Sequence, residues 1–346
     1  MKSVTNFIEK NSAAISASGI IFGLIFPQFA IFKPYLTFLL MAILFFTFIG
    51  IDVTQIAKQL KRIKLLTLII ILQMAVLPLL MFFVIKLFKP ADFLLTALLL
   101  FTLLPAGAAS PAMTGILNGD KTLSAVITII THFIAPITIP LFFFLLLRKI
   151  VRVDYLSISK TLIELIFIPL IAAEIFKRAF KGVVKVVNNI SKSITTIILV
   201  LLGATVIGTN HSFIINNPWE AIKYILIALP IYFAFMILPF YLTPFLQFEE
   251  RVSVFATKVF MNVTIGIVLA LQFLDTKASL ALTLAQIPWN LMIFPASVFV
   301  RWQKTNLKNK NNKKAPFEKG QAINNKLSKR NFFCFLPSFH FRNSKL

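Results

Sequence analysis

Ten stretches of this chain are each roughly 18–25 residues of mostly apolar side chains, long enough to cross about 30 Å of hydrocarbon. They cover residues 11–28, 36–53, 65–87, 92–117, 122–147, 157–176, 191–209, 219–242, 251–273 and 280–300. Lipid offers no partner to a free N–H or C=O, so a spanning chain folds as helices or as a closed barrel, and continuous apolar runs select helices. The expected fold is therefore all-α and integral to a membrane, with about ten transmembrane helices. Composition agrees, at 58% hydrophobic residues and a mean hydropathy of +0.87, values that soluble domains of this size do not reach. Near the N-terminus, Lys2, Glu9 and Lys10 flank no short apolar core with a small-residue cleavage site, so no cleaved signal peptide is expected.

The net charge of +23 follows from topology and needs no nucleic acid. Lys58, Lys61, Arg62 and Lys64 lie between runs two and three, and Lys177, Arg178, Lys181 and Lys185 between runs six and seven. The positive-inside rule puts both loops in the cytoplasm, together with both termini, for a multi-pass protein of the cell's inner or plasma membrane. Arg148, Lys149 and Arg152, after run five, go against that pattern. Residues 1–302 make up the membrane domain. Residues 303–346 are rich in Lys, Asn and Ser and read as a basic, unstructured cytoplasmic tail. Its lysines and phenylalanines offer attachment to anionic lipid as the alternative. Cys334, alone in that tail, supports neither a disulfide nor a metal site.

Inside run four, Pro105-Ala106-Gly107-Ala108-Ala109-Ser110-Pro111 breaks the helix where it should be continuous. Non-helical backbone at membrane depth survives where protein or a water-filled cavity surrounds it, and transporters bind ions and substrates at such breaks. Ten runs divide into two sets of five, so run nine is the counterpart of run four. It carries Lys258, Asn262 and Thr264, a costly polar cluster for mid-membrane. Five is odd, which makes the expected arrangement a 5+5 inverted repeat with discontinuous helices four and nine crossing near the midplane. Run five carries Ser124, Thr128 and His132 on one helical face. Gln73 in run three and Gln286 and Asn290 in run ten read singly as interhelical hydrogen-bond formers; the candidate substrate- or ion-binding set is Ser110, Pro111, Ser124, Thr128, His132, Lys258, Asn262, Thr264 and Asn290.

An enzyme is not expected. His132, His211 and His340 are far apart, Asp52, Asp92, Asp120 and Asp154 all sit at run ends, and no nucleophile or phosphate-loop motif is present.

At these residues the chain resembles the bile acid:sodium symporter family over most of residues 11–302. The family's Pro-Gly-Gly-x-x-Ser-Asn break is similar to Pro105–Pro111, and its short Gly-Asn/Asp turn to Gly119-Asp120. Its Ser/Thr-bearing fifth span with a late Pro pair is matched by Ser124, Thr128, Pro136 and Pro140, and its Gln-then-Pro element by Gln73 and Pro78. Its Glu-x-Gly-x-Gln-Asn aligns with Lys258-Val259-Phe260-Met261-Asn262-Val263, and its Trp-x-Asn-like element with Trp289-Asn290. The resemblance implies a core of spans 3–5 and 8–10, a panel of spans 1–2 and 6–7, and a small organic-anion substrate bound beside the crossover. In sodium-coupled members two sodium ions sit behind it.

Two departures bear on coupling. One implied sodium site would use Ser110, Ser124 and Thr128 with an Asn that is here Pro111 and a Glu that is here Lys258. Two like unit charges about 4 Å apart repel by roughly 4 kcal/mol at an effective dielectric of 20. The expectation is that Lys258 replaces that sodium, leaving transport sodium-independent or proton-linked, with Lys258 and His132 as candidate proton carriers. Gln73 and Asn262 would keep a weak second sodium site, the basis of a sodium-coupled alternative. No other cofactor is expected. Competing readings have Lys258 snorkelling to the interface, His132 as a packing residue, Glu164 as an occasional partner of Lys258, and the whole protein as a ligand- or lipid-binding relative that transports poorly.

Overall fold

A membrane-embedded backbone must pair its own polar groups, and the secondary structure described is helical throughout apart from one isolated two-residue bridge. The structure is a computed structural model that describes residues 8, 12–50, 62–148 and 153–307. Lys2, Glu9, Lys10, Asp52, Lys58, Lys61, Lys149, Arg152, Cys334, His340 and the rest of the tail from residue 308 lie outside the described residues. Residues 1–295 form one compact unit; of the second, 296–346, the described residues are helical.

The chain opens with α1 (Ser12–Ile25), a 3-10 segment (Pro27–Tyr35) and α2 (Leu36–Ile49). Helix α3 (Ile63–Leu87) contains a π-turn at Leu72–Val76, just ahead of Pro78, which has no N–H to give the ladder. Run four is split into α4 (Asp92–Leu103) and α5 (Ser110–Ile116). Then follow α6 (Lys121–Leu147), α7 (Tyr155–Ala179), α8 (Lys181–Thr209), α9 (His211–Asn216) and α10 (Pro218–Leu242). Run nine is split into α11 (Phe248–Val259) and α12 (Val263–Phe273). Helices α13 (Thr276–Leu284) and α14 (Gln286–Leu291) complete the first unit's helices.

Among the described residues six helices are long and apolar enough to cross a membrane: Pro27–Ile49, α3, α6, α7, α8 and α10. A seventh arises if Thr276–Leu291 and Ile293–Leu307 count as one broken span. The ten runs of the sequence exceed this number for a physical reason. Two of them are divided by their breaks into helices too short to cross alone, and of the first run 14 residues are described as α1. Two of the acids at run ends, Asp120 and Asp154, cap helices. Asp120 accepts from the N–H groups of Thr122 and Leu123, and Asp154 from those of Leu156 and Ser157. The Ser157 hydroxyl, with these backbone donors, holds the Asp154 carboxyl below the usual carboxylate range.

Packing falls into two groups. Helix α8 lies against α1, the 3-10 segment and α2, and α7 against α2 and α8. Helix α11 packs on α10, α5 and α6, α12 on α13 and α4, and α3 on α4. The α7–α6 contact joins the groups, with smaller ones between α8 and α13, α2 and α12, and α1 and α14. The α1–α8 approach depends on glycine: a Cβ at Gly19 would meet the Val200 carbonyl oxygen at 2.4 Å, and one at Gly23 the Ala204 oxygen at 2.5 Å. Without a hydrophobic drive in lipid, such close backbone contact is what holds helices together. Gly23→Val is therefore expected to lower stability by about 1–3 kcal/mol, read as a lower thermal unfolding midpoint of the purified protein; an unchanged midpoint would refute the close packing.

Candidate functional site

The two helix breaks solve their hydrogen-bonding problem with each other. Pro105, lacking an N–H, and the small residues after it hold the chain extended between α4 and α5. Phe260, Met261 and Asn262 do the same between α11 and α12. The Gly107 N–H donates to the Phe260 carbonyl and the Asn262 N–H to the Pro105 carbonyl, both at 2.8 Å, closing an antiparallel bridge between Ala106 and Met261. The approach is so close that a Cβ on Gly107 would lie 2.4 Å from the Phe260 oxygen.

Side chains complete the accounting. The Ser110 hydroxyl donates to the Phe260 carbonyl at 2.7 Å. The Ala106 N–H is taken by the Thr131 hydroxyl at 3.1 Å, and the Trp289 indole N–H donates to the Met261 carbonyl at 3.1 Å. Asn262 caps α12, its Oδ1 accepting from the Ile265 N–H. The Thr264 side chain, buried in the first turn of α12, makes no hydrogen bond among the described residues. Pro111 starts α5, where a missing N–H costs nothing.

Lys258 is only 1% exposed, in the last turn of α11. Its ammonium donates to the Thr102 carbonyl at 2.6 Å and stands 4.9 Å from the centre of the Phe235 ring on α10. Thr102 belongs to the last turn of α4, where carbonyls lack intrahelical partners. The cation thus serves the carbonyl end of α4 from a residue in the last turn of α11. No carboxylate pairs with it among the described residues. Glu164 lies exposed on α7 and makes no ion pair among the described residues. Burial of Lys258 leaves no room for the snorkelling alternative in this conformation.

The stripe Ser124, Thr128, His132 is buried on one face of α6. Thr128 donates to the Ser124 carbonyl, and the Ser124 hydroxyl accepts from Thr114 of α5. His132 Nδ1 lies 2.7 Å from the Thr128 carbonyl, and its Nε2 lies 3.2 Å from the Asn262 amide nitrogen. A carbonyl can only accept, so Nδ1 is the donor and Nε2 accepts, which defines a neutral ring. The stripe thereby reaches the second break through His132. Gln73 is engaged elsewhere: its Nε2 donates to the Val254 carbonyl and the Thr257 hydroxyl of α11. Asn290 donates to Gln286 within its own helix. Ser110 lies on α5 and Ser124 and Thr128 on α6, whereas the Lys258 amine turns to α4 and α10, so the described hydrogen bonds do not gather the four into one polyhedron. Ser110, Asn262 and His132 do meet at the breaks.

Sequence reasoning overlooked Thr131, Thr102, Thr257 and Phe235. Thr131 had a readable signal, since it stands seven residues after Ser124 on the same helical face. Phe235 had none, because only the tertiary fold brings α10 beside α11.

Comparison with known proteins gives a consistent result. A stretch of 152 residues is 29% identical to a probable chloroplastic sodium/metabolite cotransporter of Arabidopsis thaliana, BASS1, covering 44% of this chain and 38% of that protein. Its counterpart in rice (Oryza sativa subsp. japonica) is 24% identical over 51% of this chain and 45% of its own. An uncharacterized sodium-dependent transporter of Bacillus subtilis, YocS, is 25% identical over 56% of this chain and 61% of its own. The matched regions thus span from under two fifths to about three fifths of these relatives' lengths. The family and these relatives are transporters, not enzymes. With residues 19–217 matching the model of the Sodium Bile acid symporter family, more than half of its length, the chain belongs to that family.

Proposed function

We propose that this multi-pass membrane protein is a secondary transporter of a small organic anion. It works by alternating access and uses the bridged breaks as its binding centre. The observation that carries this reading is the pairing of two interrupted apolar helices through Gly107, Phe260, Pro105 and Asn262. Backbone freed from helices at membrane depth is where such carriers coordinate cargo. The reading includes ten spans in a 5+5 inverted repeat with both termini cytoplasmic. It also includes a core of spans 3–5 and 8–10 and a panel of spans 1–2 and 6–7, a division that the two packing groups support.

On coupling, the reading is that Lys258 supplies a fixed charge in place of one sodium ion, making transport sodium-independent or proton-linked. Its support is the buried ammonium held on the Thr102 carbonyl at the end of α4, together with Pro111, which has no side-chain oxygen. The alternative is a sodium-coupled symporter using Gln73 and Asn262, and the names of the relatives favour it. Against it, the Asn262 oxygen caps Ile265 and its amide nitrogen faces His132, whereas Gln73, whose N–H group serves α11, keeps its amide oxygen open to a ligand. A binding protein without transport is the third reading.

Thermal unfolding of the purified protein with organic anions such as taurocholate, at varied sodium and pH, tests binding. An anion at 100 times its dissociation constant adds about 2.7 kcal/mol of stability; uptake into proteoliposomes then separates transport from binding alone. Lys258→Met should leave the Thr102 carbonyl unpaired, lowering stability by about 1–3 kcal/mol, and should depress uptake with or without sodium. Lys258→Glu should make uptake respond to sodium. Steeply sodium-dependent wild-type uptake that Lys258→Ala leaves untouched would sink the substitution reading. Gly107→Val should abolish anion-induced stabilisation, because its side chain collides with the Phe260 carbonyl; retained stabilisation would move the binding centre away from the bridge.

A further inference from the structure

The six long apolar helices hold three acids among the described residues. Glu174 and Glu220 stand near helix ends and pair with Lys177 and Lys223, each three residues on. Glu164 differs in depth and in partners. It lies nine residues beyond Tyr155, the start of α7, roughly 14 Å from the nearer end at 1.5 Å per residue. The helix itself is longer than the ~30 Å of hydrocarbon it crosses, so Glu164 lies well inside. It is exposed and makes no ion pair among the described residues. A lysine at that depth can snorkel to the interface, whereas a glutamate side chain is too short. Lys160, one turn nearer the helix start, is exposed on the same face and also makes no ion pair among the described residues. No pair forms between the two along the helix, where lysine ahead of glutamate at i, i+4 is the weaker order. Helix α7 packs on α2, α6 and α8 and buries Leu162, Leu165, Ile166 and Pro169, while Ile163, Ile168, Ile171 and Ile175 stay exposed with the two charges.

We propose that this face of α7 docks a second copy of the chain, in a two-fold dimer where Lys160 of each protomer pairs with the partner's Glu164. Acyl chains cover isoleucines well, so an all-apolar face would need no protein against it. They do not solvate a carboxylate, and a charged group at membrane depth is held by an opposite charge or by water. Charge complementarity selects the occupant. The face carries one cation and one anion a turn apart, so a two-fold axis makes it complementary to itself and forms both ion pairs together. Residues four apart are offset by about 6 Å along a helix, a gap that an extended lysine side chain spans. An axis along the membrane normal keeps both copies in the same orientation. The exposed isoleucines then pack on either side of the charges, where close side-chain contact holds membrane helices together. The bridged breaks lie on other helices, so the contact leaves them uncovered.

The test uses the full chain in phosphatidylcholine liposomes, labelled with a donor or an acceptor dye at its one cysteine, Cys334. Energy transfer between the two populations is followed as lipid is added. The wild type should keep transferring energy at dilutions where Lys160→Glu alone and Glu164→Lys alone do not. Each single variant removes both interhelical ion pairs, which should weaken association roughly tenfold or more. Donor-labelled Lys160→Glu mixed with acceptor-labelled Glu164→Lys should regain the transfer, because one copy then presents two acids to two lysines. The double variant Lys160→Glu/Glu164→Lys should regain it as well. Recovery in the mixture also excludes misfolding as the reason each variant fails alone. Wild-type transfer that falls with dilution as it does for the single variants would overturn the proposal. So would single variants that associate like the wild type, or a mixture that stays apart.

Discussion

The bridge between the two helix breaks is the constraint on which the rest of the arrangement depends. Each unpaired N–H or C=O in hydrocarbon costs several kcal/mol. Two interrupted helices would each carry several such groups if they were apart. Here the Gly107 and Asn262 N–H groups and the Phe260 and Pro105 carbonyls satisfy one another, and Ser110, Thr131 and Trp289 take up much of the remainder. Each break is tolerable because the other is present. This reciprocity holds α4, α5, α11 and α12 in register and brings α6 and α14 along, since they supply Thr131 and Trp289.

Charge follows the same geometry. The last turn of α4 ends in carbonyls without helical partners, and the negative end of a helix favours a cation. The Lys258 ammonium meets that demand from within the chain, on the Thr102 carbonyl and over the Phe235 ring. An ammonium stripped of water is costly unless its surroundings compensate, and here a charge-assisted hydrogen bond, a helix end and a ring face act together.

Much of the site was legible before any coordinates. Pro105 and Pro111 bracket small residues inside an apolar run, and a break follows from proline chemistry alone. Lys258 and Asn262 were recognisable as a second interruption because polar side chains are costly in lipid. The face formed by Ser124, Thr128 and His132 follows from helical periodicity, and the structure keeps it buried. Direction was not legible. The sequence reading placed Lys258 among Ser110, Ser124 and Thr128, whereas its amine turns to α4 and α10; a long flexible side chain settles towards whichever acceptor packing provides. Gln73 and Asn262 likewise looked like one amide pair and are turned to different partners, α11 for one and His132 with Ile265 for the other.

By itself, then, the sequence determined the solvent and the helical class, through apolar runs of membrane length, and the location of both breaks, through proline and buried polarity. These are local matters, decided by each segment's own transfer cost and backbone chemistry. Only the tertiary structure decided that the breaks pair through an antiparallel bridge, that Thr131 and Trp289 complete it, and which helix end Lys258 serves. Those outcomes join residues more than a hundred positions apart, such as Pro105 with Asn262 and Thr102 with Lys258. Such contacts depend on which helices become neighbours, and periodicity along one segment carries no record of that.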